Sequence, residues 1–148
     1  MRAVVQRVLN ADLKVDGNLI SEIGKGFVVF LGVKVGDSEE DLNKIISKIA
    51  KLRVFEDENG KMNLSIKQVG GEILLVSQFT LYGDCKGGNR PSFINAERPE
   101  RANELYIQAK EMLEAEQIVV QTGVFGADMK INVHNDGPVT ILLDSEII

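Results

Sequence analysis

The chain has one cysteine, Cys85, and one histidine, His134, among 148 residues. A lone cysteine excludes an internal disulfide framework. One Cys and one His cannot supply the three or four ligands of a Cys/His zinc site within a subunit. Asp and Glu are numerous, but no Asp-rich loop of the EF-hand type occurs, so neither metal nor other cofactor is expected. No apolar run approaches the roughly 18 residues of a membrane span. The opening "MRAVVQRVLNADLKVDG" breaks its apolar residues with charges and lacks a secretory core, so a cytoplasmic location is expected. An excess of basic residues is missing too. The net charge of −5 argues against a protein that coats long stretches of phosphate, though not against one that grips a short terminus. No repeat, low-complexity tract or linker divides the chain. Residues 1–148 are expected to form a single domain, large enough to bury a core without staples.

What is present reads as α+β, mostly antiparallel sheet of barrel-like character with two main helices. Strand-like stretches occur at Ala3–Leu9, Ala11–Val15 and Asn18–Ile23, and Asp16-Gly17 between the latter two is a hairpin signal. Gly26 to Val33 is apolar on both alternations, which predicts a central strand buried on both faces. Ser38, with Asp41 three residues on, opens a helix whose apolar stripe is Leu42, Ile45, Ile46 and Ile49. Gly71 to Asp84 reads as a long strand. Pro99 suits the first turn of a second helix with Ala102, Leu105, Tyr106, Ala109, Met112 and Leu113 inward. "IVVQTGVF", "DMKINVHN" and "VTILLDSEII" supply further strands. The last is apolar on both alternations (Val139, Ile141 and Leu143 against Leu142), so both faces want cover, and a second subunit is one way to provide it.

Three stretches carry candidate chemistry. The strand from Ile73 turns polar at Ser77, Gln78 and Thr80. Alternation puts Ser77, Phe79 and Leu81 on one face and Gln78, Thr80 and Tyr82 on the other. This is either a cleft of hydroxyls and an amide, or an ordinary polar strand end. A Ser77 or Thr80 nucleophile needs a base. Only His134, with Asp136 behind it, is on offer, and no Gly-x-Ser-x-Gly elbow supports such a hydrolase. "CKGGNRPSF", residues 85–93, sets Lys86 and Arg90 about two glycines, as an anion-binding loop or as a solvated one. "NDGPVT", residues 135–140, has the composition of a turn. Since only about 5–6% of X–Pro bonds are cis, its residues alone predict a plain trans corner.

"SQFTL" at 77–81 together with "NDGPVT" at 135–140 resembles the signature pair of the D-aminoacyl-tRNA deacylases. The opening "MRAVVQRV", the "VDG" hairpin and "RPSF" at 90–93 are also similar, so the resemblance runs from Met1 to about Leu143. It implies hydrolysis of the ester joining a D-amino acid to the terminal adenosine of tRNA. It also implies a homodimer with two sites at the interface, each entered by a cis Gly137-Pro138 of the partner. Those two carbonyls would face the substrate's α-carbon and exclude an L side chain, while achiral glycine would pass. Arg7 braces the dipeptide, and Lys86 and Arg90 are the cations expected on phosphates at the acceptor end. Backbone N–H groups near Phe79 and Thr80 would form an oxyanion hole, beside Ser77 and Gln78, with an RNA hydroxyl helping to activate water. Two rival readings are a Ser/Thr–His hydrolase of small esters and a dimeric nucleic-acid-binding protein without turnover.

Overall fold

A computed structural model describes residues 1–148. Its spine is one long strand, β1 (Arg2–Val15), rather than the two separate strands the sequence suggests. One edge of β1 is shared. Its first half pairs antiparallel with β3 (Gly26–Gly32), and its second half with β2 (Asn18–Ile23) across the Asp16-Gly17 turn. The other edge is taken by β8 (Lys130–Asp144), antiparallel from Arg2 to Lys14. Register shifts between Gln6, Val8 and Asn10 change the phase of β1. Ala3 and Val5 therefore join one core, whereas Ala11 and Leu13 join another. This lets the sheet curl toward closure.

The sheet continues from β3 to β6 (Glu72–Ser77) and then to β7 (Val119–Thr122). These two pairings are parallel, which corrects the expectation of a mostly antiparallel sheet on that side. Parallel neighbours need a crossover, and a helix supplies each one. Helix α1 (Glu39–Lys51) and a small hairpin, β4 (Phe55–Glu56) with β5 (Met62–Leu64), connect β3 to β6. Helix α2 (Pro99–Ala115) connects β6 to β7, with Pro99 in its first turn. Asp41 accepts from the Ser38 N–H at 2.9 Å and from its hydroxyl at 3.0 Å, so the cap forms where the sequence placed it.

Both helices press on one face of the sheet. Leu42, Ile45, Ile46 and Ile49 of α1 and Leu105, Ala109 and Leu113 of α2 meet Ala3, Val5, Phe27, Val29, Leu31, Ile73 and Leu75. The opposite face of β3 and β6 (Val28, Leu74 and Val76) is covered by the curled ends of β1 and β8, through Val8, Leu13, Ile131 and Val133. That is why β3 is buried on both faces, as its composition demands. The outer face of β8 remains open: Leu142 is 66% exposed beside the buried Leu143. No helix is long and apolar enough to cross a membrane.

Two expected elements differ. The long strand Gly71–Asp84 stops at Ser77, and the chain enters a 3-10 turn at Phe79–Tyr82. The last bond to the neighbouring strand is Gln78 N–H to Leu31 O at 2.8 Å. The polar residues therefore mark a change of backbone, and period-two alternation no longer sorts them. Residues 135–140 are also no corner between two strands. They form a bulge within β8, where Asp136 to Val139 stand opposite Arg7 alone, and the Gly137-Pro138 bond is cis.

Candidate active site

The 3-10 turn divides two hollows. Ser77, Gln78 and Phe79 line the larger, about 370 Å³, opposite Phe125, Met129 and Ile131. Gln78, Thr80 and Leu81 line the second, about 250 Å³, with Val4 and Phe30. Gln78 thus serves both, and the faces expected from strand alternation are regrouped. The turn's own bonds run from Leu81 N–H to Gln78 O at 3.3 Å and from Gly83 N–H to Thr80 O at 3.0 Å. The amides of Phe79 and Thr80 open the turn and lie outside that ladder, as the first donors of any helical turn do. They are the donors available to an anion.

The side chains of the turn are fixed by their neighbours. Gln78 Nε2 donates to Thr80 Oγ1, which leaves the hydroxyl proton free to point outward. Phe79, 55% exposed, meets Phe93 edge-on with centroids 5.0 Å apart. At the turn's end the Tyr82 ring lies under the Arg2 guanidinium at 4.7 Å. Burial pushes its phenol up, so Tyr82 stays protonated and is no base.

Neither Ser77 nor Thr80 has an imidazole or carboxylate within hydrogen-bond reach. The ring of His134 instead meets Asn10, with Nδ1 3.1 Å from Asn10 Nδ2. Asp136 faces Arg7, with Oδ2 3.4 Å from Nε. The Ser77/Thr80–His134–Asp136 triad drawn from the sequence is not assembled. Nor do three His, Cys, Asp or Glu side chains converge anywhere to hold a metal ion.

The second element is the bulge of β8. Gly137 and Pro138 are exposed, and neither lines the hollow at Ser77 of the same chain. Arg7, only 5% exposed, lies beneath them. Its Nη1 donates to Val54 O at 2.6 Å and its Nε to Asp136 O at 3.3 Å. Asn135 Nδ2 closes the bulge by donating to Arg7 O at 2.9 Å and to Val139 O at 3.0 Å. Gly137 has φ +127, and an added Cβ would come within 2.8 Å of Val139 Cγ2. That conformation favours glycine, and any side chain there is strained.

Lys86 and Arg90 sit on an exposed loop closed at its base by paired Asp84 and Ser92 backbone bonds of 2.8 and 2.9 Å. Asp84 Oδ1 accepts from the Lys86 N–H at 2.8 Å. Phe93, at the loop's end, ties it to Phe79. The loop adjoins the larger hollow, but neither cation lines it. Cys85 is exposed on the same loop.

Two contributions escaped the sequence reading. Residues 125–129, read as the ends of two strands and the gap between them, form the far wall of the larger hollow, with Gly126 at φ +80 making the turn. Gly126 between Phe125 and Met129 was the available signal. Asn135 had been read only as a turn residue. Its side chain instead spans two carbonyls.

The fold and this surface define an α+β protein whose site offers backbone groups, namely open amides on a turn and an exposed braced bulge, in place of an acid–base pair. The family model described as D-Tyr-tRNA(Tyr) deacylase matches residues 4–144. A protein from Persephonella marina named D-aminoacyl-tRNA deacylase is 57% identical over 148 residues, all of both chains. One of the same name from Desulfitobacterium hafniense is 56% identical over 146 residues, covering 99% of this chain and 98% of its own. The solved structure of the c-Myc DNA Unwinding Element Binding Protein superposes with a TM-score of 0.91 at 43% identity, covering 97% of this chain and 98% of that one. A probable eukaryotic D-amino acid tRNA deacylase superposes at 0.82 with 17% identity, which speaks for the fold alone. The chain belongs to the D-aminoacyl-tRNA deacylase family and is a hydrolase.

Proposed function

We propose that this protein hydrolyses the ester between a D-amino acid and the 3′-terminal adenosine of tRNA, accepts glycine, and rejects L-amino acids through the backbone of Gly137-Pro138. One observation carries the mechanism: the turn at Phe79–Tyr82 opens with two amides outside its own bonds, on the rim of a hollow with no acid–base pair. The ester carbonyl seats its oxygen toward the Phe79 and Thr80 N–H groups, where the charge of the tetrahedral intermediate develops. Ser77 and Gln78 line the hollow, and the Gln78–Thr80 contact holds the turn. Attacking water loses its proton with help from the neighbouring ribose hydroxyl of the substrate. An aminoacyl ester is already labile, so positioning and the amide pair suffice.

Chiral choice falls to the bulge. Gly137 and Pro138 are exposed and absent from their own chain's hollow, which supports their acting in the hollow of a second copy. The working form is then a homodimer, its sites at the interface, with the open face around Leu142 buried between subunits. The Gly137 and Pro138 carbonyls, on a bulge that Arg7 and Asn135 tie down through its neighbouring carbonyls, bond the substrate's amino group and occupy the space of an L side chain. Specificity by exclusion needs such unyielding backbone. Lys86 and Arg90 contact phosphates at the acceptor end.

The test is deacylation of matched D-tyrosyl-, L-tyrosyl- and glycyl-tRNA. Fast loss of the D and glycyl esters with the L ester intact is expected. Decay of all three at the uncatalysed rate would overturn the reading. A second reading, a nucleic-acid-binding protein without turnover, draws on the name of the 43% identical solved structure. The same assay separates the two, because a binder leaves the ester at its spontaneous half-life.

A further inference from the structure

The solvent face of α1 carries charge that the hydrolytic site does not use. From Asn43 to Phe55 the chain has Lys44, Lys48, Lys51 and Arg53 and no Asp or Glu, in a protein of net charge −5. All four are exposed. Lys44 reaches Glu40 at 3.5 Å. Lys48 and Lys51 have no carboxylate within ion-pair distance, and the Arg53 guanidinium is held only by the neutral oxygens of Asn63. Lys44, Ser47, Lys48 and Lys51 line, together with Ile148, a shallow hollow of about 290 Å³. A helix dipole favours a cation in the last turn. It does not call for four cations extending past the helix end with no acid among them.

The position of this face matters as much as its charge. Val54, one residue beyond Arg53, gives its carbonyl to Arg7, and the same guanidinium donates to Asp136 O. One side chain therefore spans from the end of α1 to the bulge that presents Gly137 and Pro138. The cationic stretch is thus tied through Arg7 to the bulge assigned above to the RNA terminus. Lys44, Lys48 and Lys51 recur at i, i+4 and i+7 on one stripe. They cover about 10 Å of helix at 1.5 Å per residue, roughly three phosphate steps along a strand.

We propose that the cationic face of α1, chiefly Lys48, Lys51 and Arg53, binds the phosphate backbone of the tRNA acceptor arm a few nucleotides from the ester. The proposal rests on the deacylase reading above. On a protein of net charge −5, a cluster of exposed cations steers an RNA strand toward itself.

The experiment compares the parent with Lys48→Gln/Lys51→Gln and Lys48→Glu/Lys51→Glu on D-tyrosyl-tRNA and on D-tyrosyl-adenosine, which has no phosphate backbone. The charge-reversed variant should raise KM for the tRNA by about tenfold or more with kcat kept, while hydrolysing D-tyrosyl-adenosine as the parent does. Removing two phosphate contacts should flatten the slope of log KM against log salt by about 1.4 to 1.8. A tRNA KM and salt slope equal to the parent's would overturn the proposal, as would equal losses on both substrates. A parent that hydrolyses neither substrate would overturn the underlying deacylase reading instead.

Discussion

Asn135 Nδ2 donates to the carbonyl oxygen of Arg7 at 2.9 Å, at the wider of two irregularities in the β1–β8 ladder. The same amide reaches Val139 O at 3.0 Å, so one side chain replaces the ladder bonds that the bulge removes. Arg7 answers from β1 by bonding Asp136 O and Val54 O. Two side chains thus satisfy four backbone carbonyls around the exposed Gly137-Pro138.

Removing either brace should unfasten the bulge. Arg7→Met strands two carbonyls without donors and should cost about 3 kcal/mol, since each buried unmet acceptor costs roughly 1–3 kcal/mol. Asn135→Ala should cost about 1–2 kcal/mol on the same grounds. Urea midpoints measure both. Deacylation of D-aminoacyl-tRNA should fall further than stability predicts under conditions where each variant is fully folded.

Glycine substitutions should separate function from folding. Gly137→Ala places a Cβ 2.8 Å from Cγ2 of the buried Val139 and 3.0 Å from its backbone nitrogen, at φ +127 but on an exposed bulge, so it should fold with a loss of about 1–3 kcal/mol. Gly26→Ala places its Cβ 1.8 Å from the Glu72 carbonyl oxygen within the β3–β6 pairing. Backbone there cannot yield, and no soluble protein is expected. Expression yield and circular dichroism distinguish the two.

Thr80→Ala tests whether the hydroxyl or the amide of residue 80 works. With the N–H retained, kcat should fall by less than about tenfold, whereas removing a true nucleophile costs up to about 10⁶. His134→Ala, which loses only the contact with Asn10, should leave kcat/KM unchanged. A collapse of activity in the second variant would restore the triad.

The cap of α1 sets a pH dependence. The Ser38 backbone N–H, aided by the Ser145 and Ser38 hydroxyls against partial burial, holds the Asp41 carboxyl below its usual range. Its folded value is lowered, so its contribution is complete above the unfolded value near 3.9 and is lost as pH falls through the folded one. Asp41→Asn should therefore cost about 1 kcal/mol at neutral pH. As the pH falls below the unfolded value and through the lowered folded one, the two proteins should converge in thermal midpoint.

Periodicity was enough to place both helices and the doubly buried β3. Ile45, Ile49, Leu105 and Leu113 lie inward because a 3.6-residue repeat presents one face only. It did not foresee that β1 is continuous, because a strand crossing from one core to another changes phase, and a phase change reads as a break. It also mis-sorted Gln78, Phe79 and Thr80. Alternation assumes a strand, and the strand ends at Ser77. The motifs at 77–81 and 135–140 were legible as a family pattern. That the first is a 3-10 turn rather than a strand, and the second a bulge inside β8 tied by Asn135, was not.

Residue chemistry alone settled the Ser38–Asp41 cap of α1, Pro99 in the first turn of α2 and the inward-facing stripes, because each depends on neighbours a few positions away. Tertiary structure decided which segments meet. Arg7, Val54 and Asn135 converge on one bulge only because β1 takes β8 along its whole second edge and α1 crosses over that sheet. Long-range pairing is set by the sum of many weak contacts between distant segments, and no local pattern of residues encodes that sum.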